Sequence, residues 1–414
     1  MKKLTKSAEI LFDYARSIPV IDTHEHIPAT ENDYISTPIS FGELFIPYIV
    51  NDLYSSGMDF DIKDNMRAVP FYLIKDDWDA LEPYWNNVKH GSYARPLLIA
   101  LKKYYDVDDL TRENYTDVLT KINENNKPGI IKRVMQDDCN IVKSINCRNE
   151  VSKYEDDFVL SNVSSPSLVC NSKAGIDIML EYCGRDKIEN IDELIELGNV
   201  WMEKKAAEGA IEFKGRANPV GKPDKDKAEE ELQRILKGEN LIEWDTQNLT
   251  AYVFEDNIHK AAELDRPVAV HTGVWHDFRN LDVVDTLNII ERNPQTRFDI
   301  YHLGIPNTRT AVQIIKNFPN AYMNLCWAHI VAPEMLIQTM KEAIDMVPMN
   351  KIFAFGADYV RVIEKVYGHL QIAKENISII LGDRVDQGQM DIDTAKEIML
   401  KWFYKNPVEF YRID

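Results

Sequence analysis

Short apolar segments alternate with longer segments of helical periodicity along most of the chain. Eight apolar segments have the length of a strand: 19–26, 140–147, 157–162, 210–214, 268–271, 298–302, 321–326 and 352–355. The helical candidates among them are 191–209, 225–237, 248–264, 280–293, 308–317, 333–346 and 360–377. This alternation predicts a parallel sheet. A doubly wound open sheet also alternates, but it usually carries a glycine-rich turn after an early strand. This chain has none, so we predict a (β/α)₈ TIM barrel of the α/β class.

Residues 29–130 do not follow the alternation. They hold 15 of the 41 aromatic residues, which is more than their quarter share of the 414-residue chain. We predict a helical insertion after strand 1 that caps the mouth of the barrel. A satellite core without contact to a substrate is an equally good interpretation. The predicted domain therefore consists of residues 1–28 and 131–414, with 29–130 as its insertion.

The net charge of the chain limits the kinds of molecule that it is expected to bind. The formal net charge is −19, which repels phosphate backbones and anionic headgroups. We therefore expect a small-molecule substrate and neither nucleic acid nor membrane as a partner. The first residues lack the apolar core of a secretory signal, so a cytoplasmic location is expected. The oligomeric state stays open, with a homo-oligomer among the possibilities.

The five cysteines are widely spaced and odd in number, which favours reduced thiols over a disulfide framework. The sequence holds no Cys-x-x-Cys pair. Any metal ligands are therefore expected to be His, Asp, Glu or a lysine derivative. For Cys326, at the end of a predicted strand, we expect a buried and inert thiol.

Polar side chains that bind metals stand at the ends of several predicted strands. His24 and His26 lie two residues apart at the end of the first strand, so both point to the same face. His271, His302 and Asp358 follow three later apolar segments in the same way. The carboxyl ends of barrel strands share one rim, where barrel enzymes hold their working residues. These five side chains therefore predict a metal site on that rim.

The same five residues, in this order, resemble the ligand set of the amidohydrolase superfamily. Gly-Ala-Asp at 356–358, the segment 318–325 and the segment 406–411 resemble more narrowly its amidohydrolase-related branch. Ile-Asp-Thr-His-Glu-His at 21–26 and His-Thr-Gly-Val-Trp-His-Asp-Phe-Arg-Asn at 271–280 are similar to segments of uronate isomerases. The resemblance covers residues 19 to about 412, apart from the insertion.

The resemblance implies a ligand set and roles. His24, His26, His271 and Asp358 would bind one divalent cation and leave a water in the open position. Zinc suits three histidines and one aspartate, and manganese, iron or cobalt are the alternatives. Asp358 would also be the general base. His302 would polarise a substrate carbonyl, transfer a proton or join a second metal.

Candidate substrate-binding residues follow the same strand ends. Lys214 lies where relatives with two metals carry a carboxylated lysine or a glutamate. Carboxylated, it would bridge two metals; as a free ammonium, it would bind a substrate carboxylate. We favour the free ammonium because Arg216 lies beside it. The other candidates lie on loops after later strands: Trp327, Arg361 and His276.

We therefore expect a metal-dependent hydrolase of the amidohydrolase superfamily. Its metal-activated water would cleave a lactone, ester or amide in a small carboxylated substrate. Non-oxidative decarboxylation and aldose–ketose isomerisation of a uronic acid are alternatives on the same site. A non-catalytic metal-binding or ligand-binding barrel is a further alternative.

Overall fold

A computed structural model describes residues 2–58, 78–154, 157–274 and 278–413 of the chain. All eight predicted strands are present, with boundaries that differ by a few residues from the predicted ones. They are β1 (Val20–Glu25), β2 (Ile141–Arg148), β3 (Val159–Ser164), β4 (Ala210–Arg216), β5 (Val268–His271), β6 (Phe298–Tyr301), β7 (Ala321–Asn324) and β8 (Ile352–Phe353).

The strands form one parallel sheet in chain order from β1 to β8. The residues after β8 bring the sheet back to β1. The Thr23 amide donates to the Phe355 carbonyl at 3.0 Å, and the Asp358 amide donates to the His24 carbonyl at 2.8 Å. Gly356 lies at this junction, where a Cβ atom would come within 2.9 Å of the His24 nitrogen. The fold is therefore the predicted TIM barrel.

Helices cover the outside of the barrel from β3 onward. They are Pro166–Val169, Lys173–Cys183, Ile191–Ala207, Lys225–Leu236, Gln247–Glu263, Thr286–Arg292, Thr308–Asn317, Ala328–Val331, Pro333–Ala343, Glu364–Asp386, Ile392–Leu400 and Asn406–Tyr411. The helix Lys6–Ser17 precedes β1. No helix in the described part of the chain is both long and apolar enough to cross a membrane.

Two of the predicted helices have different limits in the structure. The candidate at 280–293 is a helix only over Thr286–Arg292, since two short 3₁₀ turns precede it. The candidate at 360–377 begins at Glu364 because Val362 has a φ of 58°, which a right-handed helix excludes. The same helix continues to Asp386, beyond its predicted end.

Among the described residues between β1 and β2, five α-helices are present: Glu31–Ile35, Ile49–Ser55, Trp78–Val88, Arg95–Tyr105 and Tyr115–Asn125. Apolar side chains of these helices and of the loops between them form most of a second hydrophobic cluster, in which Phe45 and Trp85 are fully buried. Tyr48, from the same segment, belongs instead to the main cluster of the barrel. The division of the chain into a barrel and a cap remains a prediction.

Candidate metal centre

The carboxyl ends of the strands surround a cavity of about 530 Å³. Four residues with the metal-binding side chains predicted above line it: His24, His26, His271 and Asp358. They come from β1 and the residue directly after it, from β5 and from the segment after β8. Parallel strands end on the same rim of a barrel, so the fold brings these distant positions together.

Asp358 lies between His24 of β1 and His26, which follows β1. One carboxylate oxygen, Oδ1, is 3.4 Å from Nε2 of His24 and 3.4 Å from Nε2 of His26. The backbone of Asp358 is left-handed, with a φ of 62°. Asp tolerates this conformation better than most residues. The hydroxyl of Tyr48 donates to the backbone carbonyl of Asp358 at 2.5 Å, which holds this conformation in place.

The ring of His26 is oriented by β2. Its Nδ1 is 2.9 Å from the Cys147 carbonyl, and because a carbonyl only accepts hydrogen bonds, Nδ1 carries the proton. Nε2 then has a free lone pair, which a metal requires. Burial lowers the pKa of His26, and burial together with the Lys214 ammonium lowers the pKa of His24 well below its usual value. Both imidazoles are therefore neutral at pH 7.

His302 orients the ring of His271 through a hydrogen bond. His302 Nδ1 lies 2.9 Å from the Cys326 carbonyl and therefore donates, so its Nε2 accepts from Nδ1 of His271 at 3.1 Å. The second ring nitrogen of His271, Nε2, is buried and has no hydrogen-bond partner among the described residues. Burial lowers the pKa of His302 to about 4, so the imidazole of His302 is neutral at pH 7. His302 itself is not among the residues that line the cavity.

Lys214 lies within the centre. Its Nζ is 3.2 Å from Nε2 of His24 and 4.2 Å from the centroid of the Tyr301 ring. The side chain is almost entirely buried, yet Lys214 lines the cavity. Its ammonium therefore faces the cavity, close to an imidazole nitrogen of His24.

Two arginines line the cavity beside Lys214. Arg216 pairs with Glu243 at 2.6 Å, and Arg148 donates to the His26 carbonyl at 3.2 Å. Sequence reasoning did not find Arg148. Its position at the end of β2, the strand next to β1, was the available signal.

The remaining substrate-binding candidates have different positions. Trp327 lines the cavity and stacks on Tyr48, with ring centroids 4.9 Å apart. Arg361 does not line it; its guanidinium donates to the Tyr34 and Thr37 carbonyls and lies 3.4 Å from Glu43. His276 lies outside the described residues.

Strand β1 itself carries a pair of buried carboxyl groups, those of Asp22 and Glu25. Asp22 accepts hydrogen bonds from the amides of His24 and Ala357, and Glu25 accepts one from the amide of Tyr359. Both side chains are fully buried, and desolvation raises the pKa of Asp22 to about 7. Desolvation and the neighbouring Asp22 raise the pKa of Glu25 well above its usual value. The pair therefore connects β1 to the Asp358 segment through backbone amides.

The donor set fits a divalent cation. Neutral imidazole nitrogens and a carboxylate are ordinary ligands of zinc. A ring nitrogen of His24, a ring nitrogen of His26 and Sγ of Cys147 also lie within 4.8 Å of one another. The thiol of Cys147 was not among the predicted ligands. Cys147 is the last residue of the predicted strand 140–147, so its position at a strand end was the available signal.

Comparisons with solved structures find the same fold. A uronate isomerase from Thermotoga maritima matches with a TM-score of 0.76 at 13% identity, over 99% of this chain and 98% of that chain. A glucuronate isomerase from Caulobacter crescentus has a TM-score of 0.76 at 15% identity, covering 99% and 94%. A proposed metal-dependent hydrolase from Lactobacillus casei has a TM-score of 0.68 at 16% identity, covering 97% of each.

No curated protein matches the sequence significantly. The family model described as Amidohydrolase matches residues 188–413, which is more than half of the chain and includes β4 to β8. His271, His302 and Asp358 lie inside this match. The chain therefore belongs to the amidohydrolase family.

Proposed function

We propose that this protein is a metal-dependent hydrolase that cleaves a lactone, ester or amide bond in a small carboxylated molecule. The observation that carries this proposal is the position of Asp358, whose Oδ1 is equidistant from Nε2 of His24 and His26 at the cavity. A carboxylate in this position can contact both a metal and a water bound to it.

His24, His26, His271 and Asp358 are the residues that would hold the metal, and zinc suits these donors best. When bound, such a cation lowers the pKa of a coordinated water towards neutrality and polarises a carbonyl oxygen. The family and the donor set support a metal; its identity and count are part of the proposal.

Asp358 accepts the proton of the attacking water and returns it to the leaving oxygen or nitrogen. Tyr48 positions Asp358 through the hydrogen bond to its backbone carbonyl. His302 positions His271 by accepting from its Nδ1, which leaves the other ring nitrogen of His271 as a lone-pair donor. His302 is therefore a positioning residue in this proposal.

Three positively charged side chains at the cavity favour a substrate with a carboxylate. Lys214, Arg148 and Arg216 all line it, within a protein whose net charge is −19. Arg216 is partly neutralised by Glu243, so Lys214 and Arg148 carry more of the local positive charge. Trp327 and Tyr48 supply a flat aromatic wall for the rest of the molecule.

The test is product analysis in ¹⁸O-labelled water with a panel of lactones, amides and uronates. We expect one solvent oxygen in the product and no carbon dioxide. Asp358→Asn should reduce kcat by at least ~10²-fold. Asp393→Asn, at an exposed helix position, should leave it unchanged. Turnover without solvent oxygen, beyond carbonyl exchange, would exclude hydrolysis.

Aldose–ketose isomerisation of a uronic acid is the second candidate. It is favoured by the likeness in fold to uronate isomerases over nearly the whole chain. The same incubation separates the two reactions, because an isomerase interconverts the uronates without adding an oxygen from water.

The number of metals depends on Lys214. We propose one metal, with Lys214 as a free ammonium that binds the substrate carboxylate. Metal analysis of protein reconstituted with and without added bicarbonate tests this. Two equivalents of zinc that require bicarbonate and disappear in Lys214→Ala would show a carboxylated lysine instead.

A further inference from the structure

Cys147 occupies an unusual position for a cysteine. It lies near the end of β2, it lines the cavity, and it is almost completely buried. Its backbone carbonyl accepts the hydrogen bond that orients His26. Its Sγ lies within 4.8 Å of a ring nitrogen of His24 and of a ring nitrogen of His26. The residue therefore touches the metal centre through both its backbone and its side chain.

No other role for this thiol is visible in the described structure. All five cysteines are free, so Cys147 does not form a disulfide. His26, one of the two imidazoles within 4.8 Å of Sγ, already uses Nδ1 on the Cys147 carbonyl and directs Nε2 towards Asp358. It is therefore not placed as a base that would activate the sulfur as a nucleophile.

We propose that Cys147 is a ligand of the metal held by His24 and His26. Zinc binds sulfur at about 2.3 Å and imidazole nitrogen at about 2.0–2.1 Å, so a tetrahedral site places a sulfur and a nitrogen ligand roughly 3.6 Å apart. The atoms here lie within 4.8 Å of one another, and side-chain rotations of at most about 1 Å bring them to one ion. On coordination, the S–H bond is replaced by a metal–sulfur bond and the proton leaves to solvent. No electron is transferred. This inference rests on the metal centre of the proposed function.

A sulfur ligand changes which metal the centre selects. Thiolate is a soft donor that favours zinc and cobalt over the harder manganese and magnesium. With His24, His26, His271 and Asp358 alone, the centre has only nitrogen and oxygen donors. Cys147 therefore acts as a determinant of metal specificity in this chain.

Cobalt substitution gives a readout that is independent of activity. The wild-type protein, stripped of metal and loaded with Co²⁺, should show a sulfur-to-cobalt charge-transfer band in the near ultraviolet. Cys147→Ser should lose the band and bind zinc at least about tenfold more weakly, while its affinity for Mn²⁺ changes less. Cys170→Ser, a buried cysteine whose Sγ donates to the Ser167 carbonyl, should keep both the band and the affinity.

Cys326 is the alternative source of a sulfur ligand. Its Sγ is 3.4 Å from Nδ1 of His302, so it is also close to the centre. A band that is lost in Cys326→Ser and kept in Cys147→Ser would overturn the assignment.

A second measurement needs no variant. X-ray absorption at the zinc edge of the wild-type holo-protein should show one sulfur neighbour at about 2.3 Å. A shell of nitrogen and oxygen alone would refute the cysteine ligand and leave the proposed hydrolase intact. A protein that binds no stoichiometric metal would instead refute the proposed function.

Discussion

At the scale of single residues, the centre depends on strained backbone at the ends of three strands. His302, Trp327 and Asp358 all have left-handed backbones, with φ values of 66°, 58° and 62°. Such conformations cost roughly 1–3 kcal/mol each for residues other than glycine and persist where surrounding contacts enforce them. Here the contacts are the Cys326 carbonyl for His302, the Tyr48 ring for Trp327 and the Tyr48 hydroxyl for Asp358.

Tyr48→Phe tests the hydrogen bond that holds Asp358. The ring and its stacking on Trp327 are kept, while the buried carbonyl of Asp358 loses its donor. We expect a loss of about 1–3 kcal/mol in the free energy of unfolding and a lower kcat with little change in KM. Tyr93→Phe is the matched control, because Tyr93 stacks on Tyr48 and makes no hydrogen bond to Asp358. Equal losses in both variants would contradict this role.

His329 should make stability depend on pH. Its Nε2 donates to the Ala354 carbonyl at 2.7 Å, and burial lowers its pKa from 6.5 to about 4. Between these values the unfolded chain binds a proton that the folded chain excludes. The stabilisation is therefore complete above pH 6.5 and is lost as the pH falls towards 4. The shift corresponds to roughly 3 kcal/mol.

The measurement is urea unfolding of wild type and His329→Asn from pH 5 to 7.5. The difference between their free energies of unfolding should be largest at pH 7.5 and should shrink towards pH 5. Asn87→Ala, at an exposed position without a titratable group, should show no such trend. A difference that stays constant with pH would show that His329 does not titrate in this range.

At the scale of elements, the helix Glu364–Asp386 joins the barrel to the segment between β1 and β2. Gly368 on this helix faces Pro96 of the helix Arg95–Tyr105, where a Cβ atom would come within 2.0 Å of the Pro96 carbonyl oxygen. Lys365, one turn earlier, donates to the Glu43 and Ile46 carbonyls. These contacts position residues 42–46 and Tyr48 relative to the rim formed by the carboxyl ends of the barrel strands.

Gly368→Ala should destabilise the protein, contrary to helix propensity. In an exposed helix the change would stabilise by about 1 kcal/mol. Here the added methyl group displaces the helix Arg95–Tyr105, and we expect a net loss of about 1–3 kcal/mol. Thermal or chemical unfolding of the variant gives the sign, and increased stability would show that the close approach of these helices is absent in solution.

At the scale of the whole molecule, the proposed metal would couple residues from both ends of the chain. His24 and Asp358 are separated by more than 300 residues, yet their side chains meet at 3.4 Å. A ligand that binds only this folded arrangement stabilises the entire barrel, by about 2.7 kcal/mol at a concentration one hundred times its Kd.

Removal of the metal by a chelator should therefore lower the Tm by several degrees and abolish activity. Zinc should restore both, while magnesium, which prefers oxygen ligands, should restore neither. Scanning calorimetry with metal analysis on the same samples is the measurement. An unchanged Tm after verified metal loss would show that the bound metal does not stabilise the fold.

The sequence by itself determined the barrel and the positions of its main polar residues. Strands and helices have different hydrophobic periods, and parallel strands end on one rim, so local pattern is sufficient to place His24, His26, His271 and Asp358 together. The helix limits near 286 and 364 were less predictable, because 3₁₀ turns and a left-handed residue have no hydrophobic period.

Only the tertiary structure decided what each side chain does at that rim. It turned Arg361 towards Glu43 and placed His302 behind His271. It also brought Cys147 and Arg148 of β2 to the cavity. The physical reason is that side-chain direction depends on backbone strain and on hydrogen bonds between residues far apart in the chain. No local pattern of hydrophobic and polar positions records either of these.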